Sequence, residues 1–357
     1  MRVLAFPKGT SPYTECFYRA VETLGVPVED GVMSGGWLRA NLRRGDWVHL
    51  HWPSFEYAHA RGALRQGVAL ARLVALLGLA RVSGARIAWT AHNLLPHDPA
   101  AWPPLDVVAR RAVIASSDVV LVHGPAAARV LAARFPAVTP KLVEVPHGHW
   151  IDHYPRTQSR AEARAALGLT ADATVYAFVG LCKPYKNLEG LVRAFGRVPG
   201  AATLLIAGRF PDPAYEAAVR ALAAADPRVR IDAGFIPDAK LQSYVVAADV
   251  VVAPYREILT SGTAMLAQSF GRPVISLRQG FLLDVVDEAT GILYAPDDAD
   301  GLANALAALP GRRFDEERIV ASARRHTFET AAARFVAALR VVDAGRPPAV
   351  REAGASA

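Results

Sequence analysis

The sequence is poor in cysteine, in methionine and in long apolar runs. Its 357 residues hold two cysteines, Cys16 and Cys182, in no metal-binding or redox spacing. A disulfide scaffold is therefore excluded, and a reducing compartment is expected. The longest uncharged apolar stretch, near Leu73 to Ala80, is far too short to span a bilayer. Met1 runs at once into an apolar strand pattern, so no leader peptide is expected, and the expected location is cytoplasmic, at most peripheral at the inner face of the cell membrane. No Walker-type loop and no GxGxxG occurs, which argues against an NTPase or a dinucleotide dehydrogenase. Arg/Lys runs interleaved with aromatics are also missing, so nucleic acid is not an expected partner.

Apolar residues make up 52% and charged ones 20%, the balance of a globular chain. The net charge is +7, which favours anionic partners such as nucleotide phosphates, a lipid pyrophosphate or an acidic membrane surface. Short apolar strand patterns alternate with helical ones along the whole chain, which predicts an α/β protein with parallel sheets. Two domains are expected. The first covers residues 1–160 and the second residues 161–327, with the polar stretch after Pro155 as the junction. Helices over residues 328–343 are expected to pack back on the first domain, and residues 346–357 to form a disordered tail.

The stretch VVVAPYREILTSGTAMLAQSFGRPVISL, from Val250 to Leu277, organises the second half. A buried strand leads through Thr260, Ser261, Gly262 and Thr263 into a helix N-terminus. Hydroxyls, backbone N–H groups and the positive end of the helix dipole then meet at one point, which suits a phosphate. An ordinary capped helix is the plainer reading. Lys183 and Lys186 in GLCKPYKN, which begins at Gly180, follow another strand and would suit a pyrophosphate beside that turn. Two solvated loop lysines are the alternative.

Ligands of parallel α/β sheets bind beyond the carboxyl ends of the strands, where His51, His92, His147, Lys183 and Arg209 fall. With two such sheets, a cleft between domains is the expected site. His147, His149 and His153 lie close in sequence, and His49 and His51 share a strand face, but no carboxylate or cysteine completes a metal ligand set. No metal is expected. The loop HNLLPHD offers His92, His97 and Asp98 as candidate general bases. Its structural alternative has His92 bonding backbone and Asp98 capping a helix near Pro99. The apolar, arginine-bearing helix from Gly62 to Val82 could face a membrane. A sheet-packing helix with a solvated basic face is the reading preferred on sequence.

Together these motifs resemble the GT-B glycosyltransferases, in particular the group 1, family 4-like set of bacterial polysaccharide and glycolipid assembly. AFVGLCKPYKNLEGLVRAF, LLIAGR, GFIPDAKLQSYVVAADVVVAPY and SFGRPVISLRQGFLLDVVDEATGILYAPDD carry the likeness; TAHN and VPHGHW carry it weakly in the first half. The resemblance implies two Rossmann-like domains facing a cleft. It implies a sugar transfer from a GDP- or UDP-linked donor to a saccharide, glycolipid or small-molecule acceptor, with no cofactor. Donor binding would fall to Gly180, Lys183, Lys186, Arg209, Phe235, Ile236, Glu257, Thr260, Ser261, Gly262 and Thr263. His51, Trp52, Glu56, His147, Gly148 and His149 would line the acceptor side, with Trp52 stacking on a sugar. Retaining members carry two glutamates separated by seven residues. Anchored on Gly271 and Pro273, those positions hold Ile258 and Leu266, with Glu257 one residue off. An inverting reaction is therefore expected. A non-catalytic sugar-nucleotide-binding protein and a GT-B epimerase are the alternatives.

Overall fold

The computed structural model describes residues 1–9 and 11–348, so the expected tail lies largely outside the described residues. The chain divides into two compact units, Met1–Gly148 with the chain from Thr327 on, and His149–His326. Each contains one six-stranded parallel sheet.

The first unit holds β1 (Val3–Phe6), β2 (Val28–Asp30), β3 (Trp47–Leu50), β4 (Arg86–Thr90), β5 (Val119–His123) and β6 (Leu142–Val145), ordered β2-β1-β3-β4-β5-β6. All but β2 are short, mostly apolar runs, almost wholly buried, as expected of strands covered on both faces. β2 was not anticipated. It is a three-residue edge strand, Val-Glu-Asp, with two of three side chains exposed, and it carries no apolar periodicity. The helix Gly35–Asn41 was missed likewise, since its two leading glycines read as a loop, although Ser34 caps it through the Trp37 N–H.

The second unit holds β7 (Thr174–Val179), β8 (Ala202–Gly208), β9 (Val229–Ala233), β10 (Val250–Ala253), β11 (Val274–Leu277) and β12 (Gly291–Tyr294), ordered β12-β11-β10-β7-β8-β9. In each sheet the strand sequence runs outward in both directions from one pair. That pair is β1/β3 in the first unit and β7/β10 in the second, and the crevice at such a reversal is where open α/β sheets bind ligands.

Two sequence expectations are corrected. The boundary falls at His149, ahead of the polar stretch. Trp150 already belongs to the second unit: its N–H donates to Ser269 Oγ at 2.8 Å and its indole Nε1 to the Gly262 carbonyl at 3.1 Å. Thr157 and Gln158 are held there too, through Gln242 Oε1. The last two helices lie in different units, with no change to what was expected of residues 328–343. Glu316–Arg324 packs in the second unit against Gly262–Ser269, while Phe328–Asp343 packs in the first against Pro12–Thr23 and β6. Finally, no helix starts near Pro99 for Asp98 to cap. The next helix begins at Pro104, and Asp106 instead accepts from the Ala100 N–H.

Candidate functional site

In the second unit the loop after β7 lies against the loops after β8 and β10. Gly180 N–H donates to the Ala207 carbonyl at 3.0 Å, and Cys182 N–H to Arg209 at 2.8 Å. Gly208 permits this approach: at φ +150° it has a backbone that side chains rarely adopt, and a Cβ there would sit 1.8 Å from the Gly180 oxygen. Cys182 is buried, its thiol pushed up to about 12 by desolvation, so it packs inertly under the loop. Arg256 N–H donates to the Tyr185 carbonyl at 3.1 Å, which ties the same loop to β10.

This pinning brings Lys186 onto Tyr255. The ammonium stands 3.8 Å from the centre of the Tyr255 ring and 5.0 Å from that of Tyr185. Burial opposes its charge, but Tyr255 and Tyr185 outweigh that and hold its pKa above the ordinary lysine value. Burial likewise opposes the Tyr255 phenolate. Lys186, with the Thr263 and Ser261 hydroxyls, outweighs it and brings Tyr255 below the usual tyrosine value. The Tyr255 ring is 3% exposed, yet its hydroxyl has no hydrogen-bond partner of proper geometry among the described residues, and neither has Thr260 Oγ1. A buried hydroxyl left unpaired is costly and calls for an explanation.

The helix Gly262–Ser269 starts at the same place. Ser261 is its N-cap, accepting from the Ala264 N–H at 3.1 Å, and Thr263 Oγ1 lies 3.8 Å from where a Gly180 Cβ would be. A lysine, a buried hydroxyl without a well-formed hydrogen bond, and a helix start thus converge at the β7/β10 reversal. That is the chemistry of an anion site.

The remaining candidates of this unit fall on the same rim of the sheet. Lys183 is half-buried on the β7 loop; Arg209 follows β8 and is exposed; Phe235 and Ile236 follow β9, with Phe235 79% exposed. Glu257 is exposed on the loop after β10. Ile258 and Leu266 are buried apolar contacts at 3% and 8% exposure, and Gly280 packs on the Ile258 carbonyl. No carboxylate pair stands at those two positions.

In the first unit, β3, β4, β5 and β6 each end at a histidine: His51, His92, His123 and His147. All four are buried, and with His49 they form a row beside Tyr13 and Tyr18 of the helix Pro12–Thr23. Neighbouring ring centres are 4.5 Å apart for His49–His51, 5.2 Å for His51–His92, 5.7 Å for His92–His123 and 5.1 Å for His123–His147. A continuous chain of short contacts runs through it. Thr90 Oγ1 lies 2.9 Å from His49 Nε2, and His49 Nδ1 lies 2.9 Å from the Tyr18 hydroxyl. That hydroxyl lies 2.6 Å from His51 Nε2, and His51 Nδ1 lies 2.9 Å from His92 Nε2. One proton per neutral ring satisfies every link, with the chain polarised in either direction. Desolvation keeps the rings neutral: His49 is lowered to about 3, and His51, His92 and His123 well below the ordinary histidine value.

His92 thus bonds another histidine through its Nε2 rather than backbone, while His97 and Asp98 stand exposed further along the loop. Trp52 stacks on His92 at 4.8 Å and on Phe55 at 5.9 Å; the ring expected to face a sugar braces the His92 imidazole. Glu56 is exposed. His147 Nδ1 contacts the Gly148 carbonyl at 2.9 Å, and Gly148 has no room for a side chain because Phe328 packs against it. His149 belongs to the other unit, bonded through its N–H to His326. Among the described residues no three His, Cys, Asp or Glu side chains are placed to hold a metal ion.

Sequence reasoning missed Tyr13, Tyr18, His123 and Tyr255. A signal for His123 existed, since consecutive strands all end in histidine. The tyrosines had none, because they reach the row only through tertiary packing.

Residues 173–310 match the family model for glycosyl transferases group 1. A GDP-mannose:glycolipid 4-beta-D-mannosyltransferase of Xanthomonas campestris is 29% identical over 66% of this chain and 62% of its own length. A D-inositol 3-phosphate glycosyltransferase of Saccharomonospora viridis is 33% identical over 68% and 61%. The chain thus spans about three fifths of the length of these curated relatives. Among solved structures, Anabaena HepE in complex with UDP is similar with a TM-score of 0.68 at 14% identity, over 96% of this chain and 99% of that one. Sucrose-phosphate synthase from Thermosynechococcus elongatus gives 0.65 at 24%, over 84% and 74%. The fold is GT-B, and residues 173–310 are a glycosyl transferase group 1 domain.

Proposed function

We propose that this chain is a metal-independent hexosyltransferase that takes a sugar from a GDP-linked donor and delivers it, with inversion, to a glycolipid. The observation that carries the reading is the anion site at the β7/β10 reversal inside the group 1 domain, where Lys186, Tyr255 and the Ser261–Thr263 helix start converge. A diphosphate there would take up the Tyr255 hydroxyl and the N–H groups of the helix start, and Lys186 would stabilise the charge that grows on the leaving nucleotide. Fixed positive charge of this kind does the work a divalent ion does elsewhere.

Inversion is supported by two facts. Ile258 and Leu266 are buried apolar side chains where retaining members carry carboxylates. A relative is also named a 4-beta-D-mannosyltransferase that uses GDP-mannose, and a β-linked product from an α-linked sugar nucleotide is an inversion. The base is assigned to His92. It is in its proton-accepting form at neutral pH, Trp52 fixes its ring, and His51, bonded to its Nε2, would steady the imidazolium that forms when His92 takes up the acceptor hydroxyl proton.

The test is transfer from GDP-mannose to a lipid-linked saccharide in excess EDTA, with the new anomeric centre read by NMR. A β-linked product formed in EDTA is expected. An α-linked product removes the inverting assignment, and loss of transfer restored by one divalent ion removes the metal-free one.

A further inference from the structure

The helix Ala63–Val82 carries exposed arginines, but they flank a further apolar face. It is apolar on two opposite sides. Gln66, Leu70, Leu73, Leu77 and Ala80 are buried. At about 100° per residue, Leu64, Val68, Ala71, Ala75 and Val82 form a second stripe on the far side, and all five are exposed. Leu64 and Val82 are each 83% exposed and Val68 64%. The helix contains no acidic residue. Arg65 and Arg72 lie along one flank of the stripe, with Arg61 just before it, and all three are exposed.

Two exposed aromatic side chains lie on loops bound to the helix start. Gln66 donates to the Ala58 carbonyl and accepts from the Ala101 N–H, each at 2.8 Å. Those bonds hold against the helix the two loops that bear Phe55, 56% exposed, and Trp102, 53% exposed. Arg81, on the other flank, pairs with Asp118, and Glu56 is the acidic group within the field of Arg72.

An apolar stripe about 30 Å long, with arginines along one side, matches the boundary between lipid headgroups and acyl chains. We propose that this face docks the first unit on an anionic bilayer, with the helix lying in the interface plane. The helix is long and apolar enough to span a membrane by composition alone. Its other side is committed to the core of the unit, which leaves only the outer stripe for lipid. The proposal does not depend on the transfer reaction.

Sedimentation of the whole chain with vesicles tests it. Binding to phosphatidylcholine vesicles containing 30 mol% phosphatidylglycerol is expected. It should fall away on pure phosphatidylcholine and weaken between about 50 mM and 500 mM salt as the headgroup charge is screened. The double variant Leu64→Asp/Val68→Asp alters only exposed positions and should reduce binding about tenfold or more. Leu283→Asp, an exposed apolar position of the second unit, should bind as the parent does. No binding by the parent, or equal binding by the double variant, overturns the proposal. So does a dimer in solution that the double variant dissociates, since a second copy would then cover the stripe.

Discussion

Replacing Tyr255 by Phe separates a binding group from a structural one, because the two roles predict opposite signs. The hydroxyl is buried and makes no hydrogen bond of proper geometry among the described residues, while Lys186 sits 3.8 Å over the ring. Removing an unpaired buried hydroxyl relieves its desolvation cost, about 1 kcal/mol or more, and leaves the cation–ring contact in place. Tyr255→Phe should therefore unfold at an equal or higher temperature than the parent. Its affinity for GDP should fall, because a hydrogen bond to a charged phosphate contributes about 1.5–3 kcal/mol, or about 10- to 150-fold in Kd. Lys186→Ala removes both the ammonium and its ring contact, the latter about 0.5–2 kcal/mol. It should lose affinity to a similar degree and also lose stability. Titration calorimetry with GDP and UDP reads the affinities, and thermal unfolding without nucleotide reads the stabilities. If Tyr255→Phe destabilises the free protein, the hydroxyl has a structural partner and its orphaned state explains nothing. If neither variant changes nucleotide affinity, the anion site is not at the β7/β10 reversal.

Two further outcomes are expected. His92→Ala should lower the transfer rate by about 10²–10⁴, the usual effect of losing a general base, while Asp98→Asn and His97→Ala stay near the parent; the converse pattern in a steady-state assay moves the base to the exposed part of the loop. The first unit should also be acid-sensitive. His49 titrates near 3 when folded but near its ordinary value when unfolded. Between about pH 6.5 and 3 the unfolded chain therefore binds the extra proton, and stability falls as pH falls by up to about 1.4 kcal/mol per pH unit for this ring alone. Above that window both states are neutral there and the effect vanishes. Urea midpoints of the parent and His49→Phe across pH 4–7 check this. A slope unchanged in the variant would show that His49 is not part of it.

What could be read from the sequence follows what is local. Buried parallel strands such as Val250–Ala253 and Leu142–Val145 declare themselves as short β-branched runs, and the Ser261 cap is written in the residues that form it. β2 could not be read this way, because an edge strand with Glu29 and Asp30 facing solvent needs only backbone pairing to β1. The phosphate-type turn was legible for the same local reason. Its orphaned partner was not, since Tyr255 reads as one more apolar residue after a strand until Lys186 is seen above its ring.

The histidine row shows the same limit from another side. Counting from the strands locates His51, His92 and His147 at the sheet rim, and a metal or a base are then equally natural thoughts. For His49 and His51, tertiary placement opposes ligation. Tyr18 lies between His49 and His51, taking one nitrogen of each, and the second nitrogens are used by Thr90 and by His92. A ring with both nitrogens engaged has no lone pair to give to a metal without breaking a buried hydrogen bond, whereas passing a proton along the row breaks none.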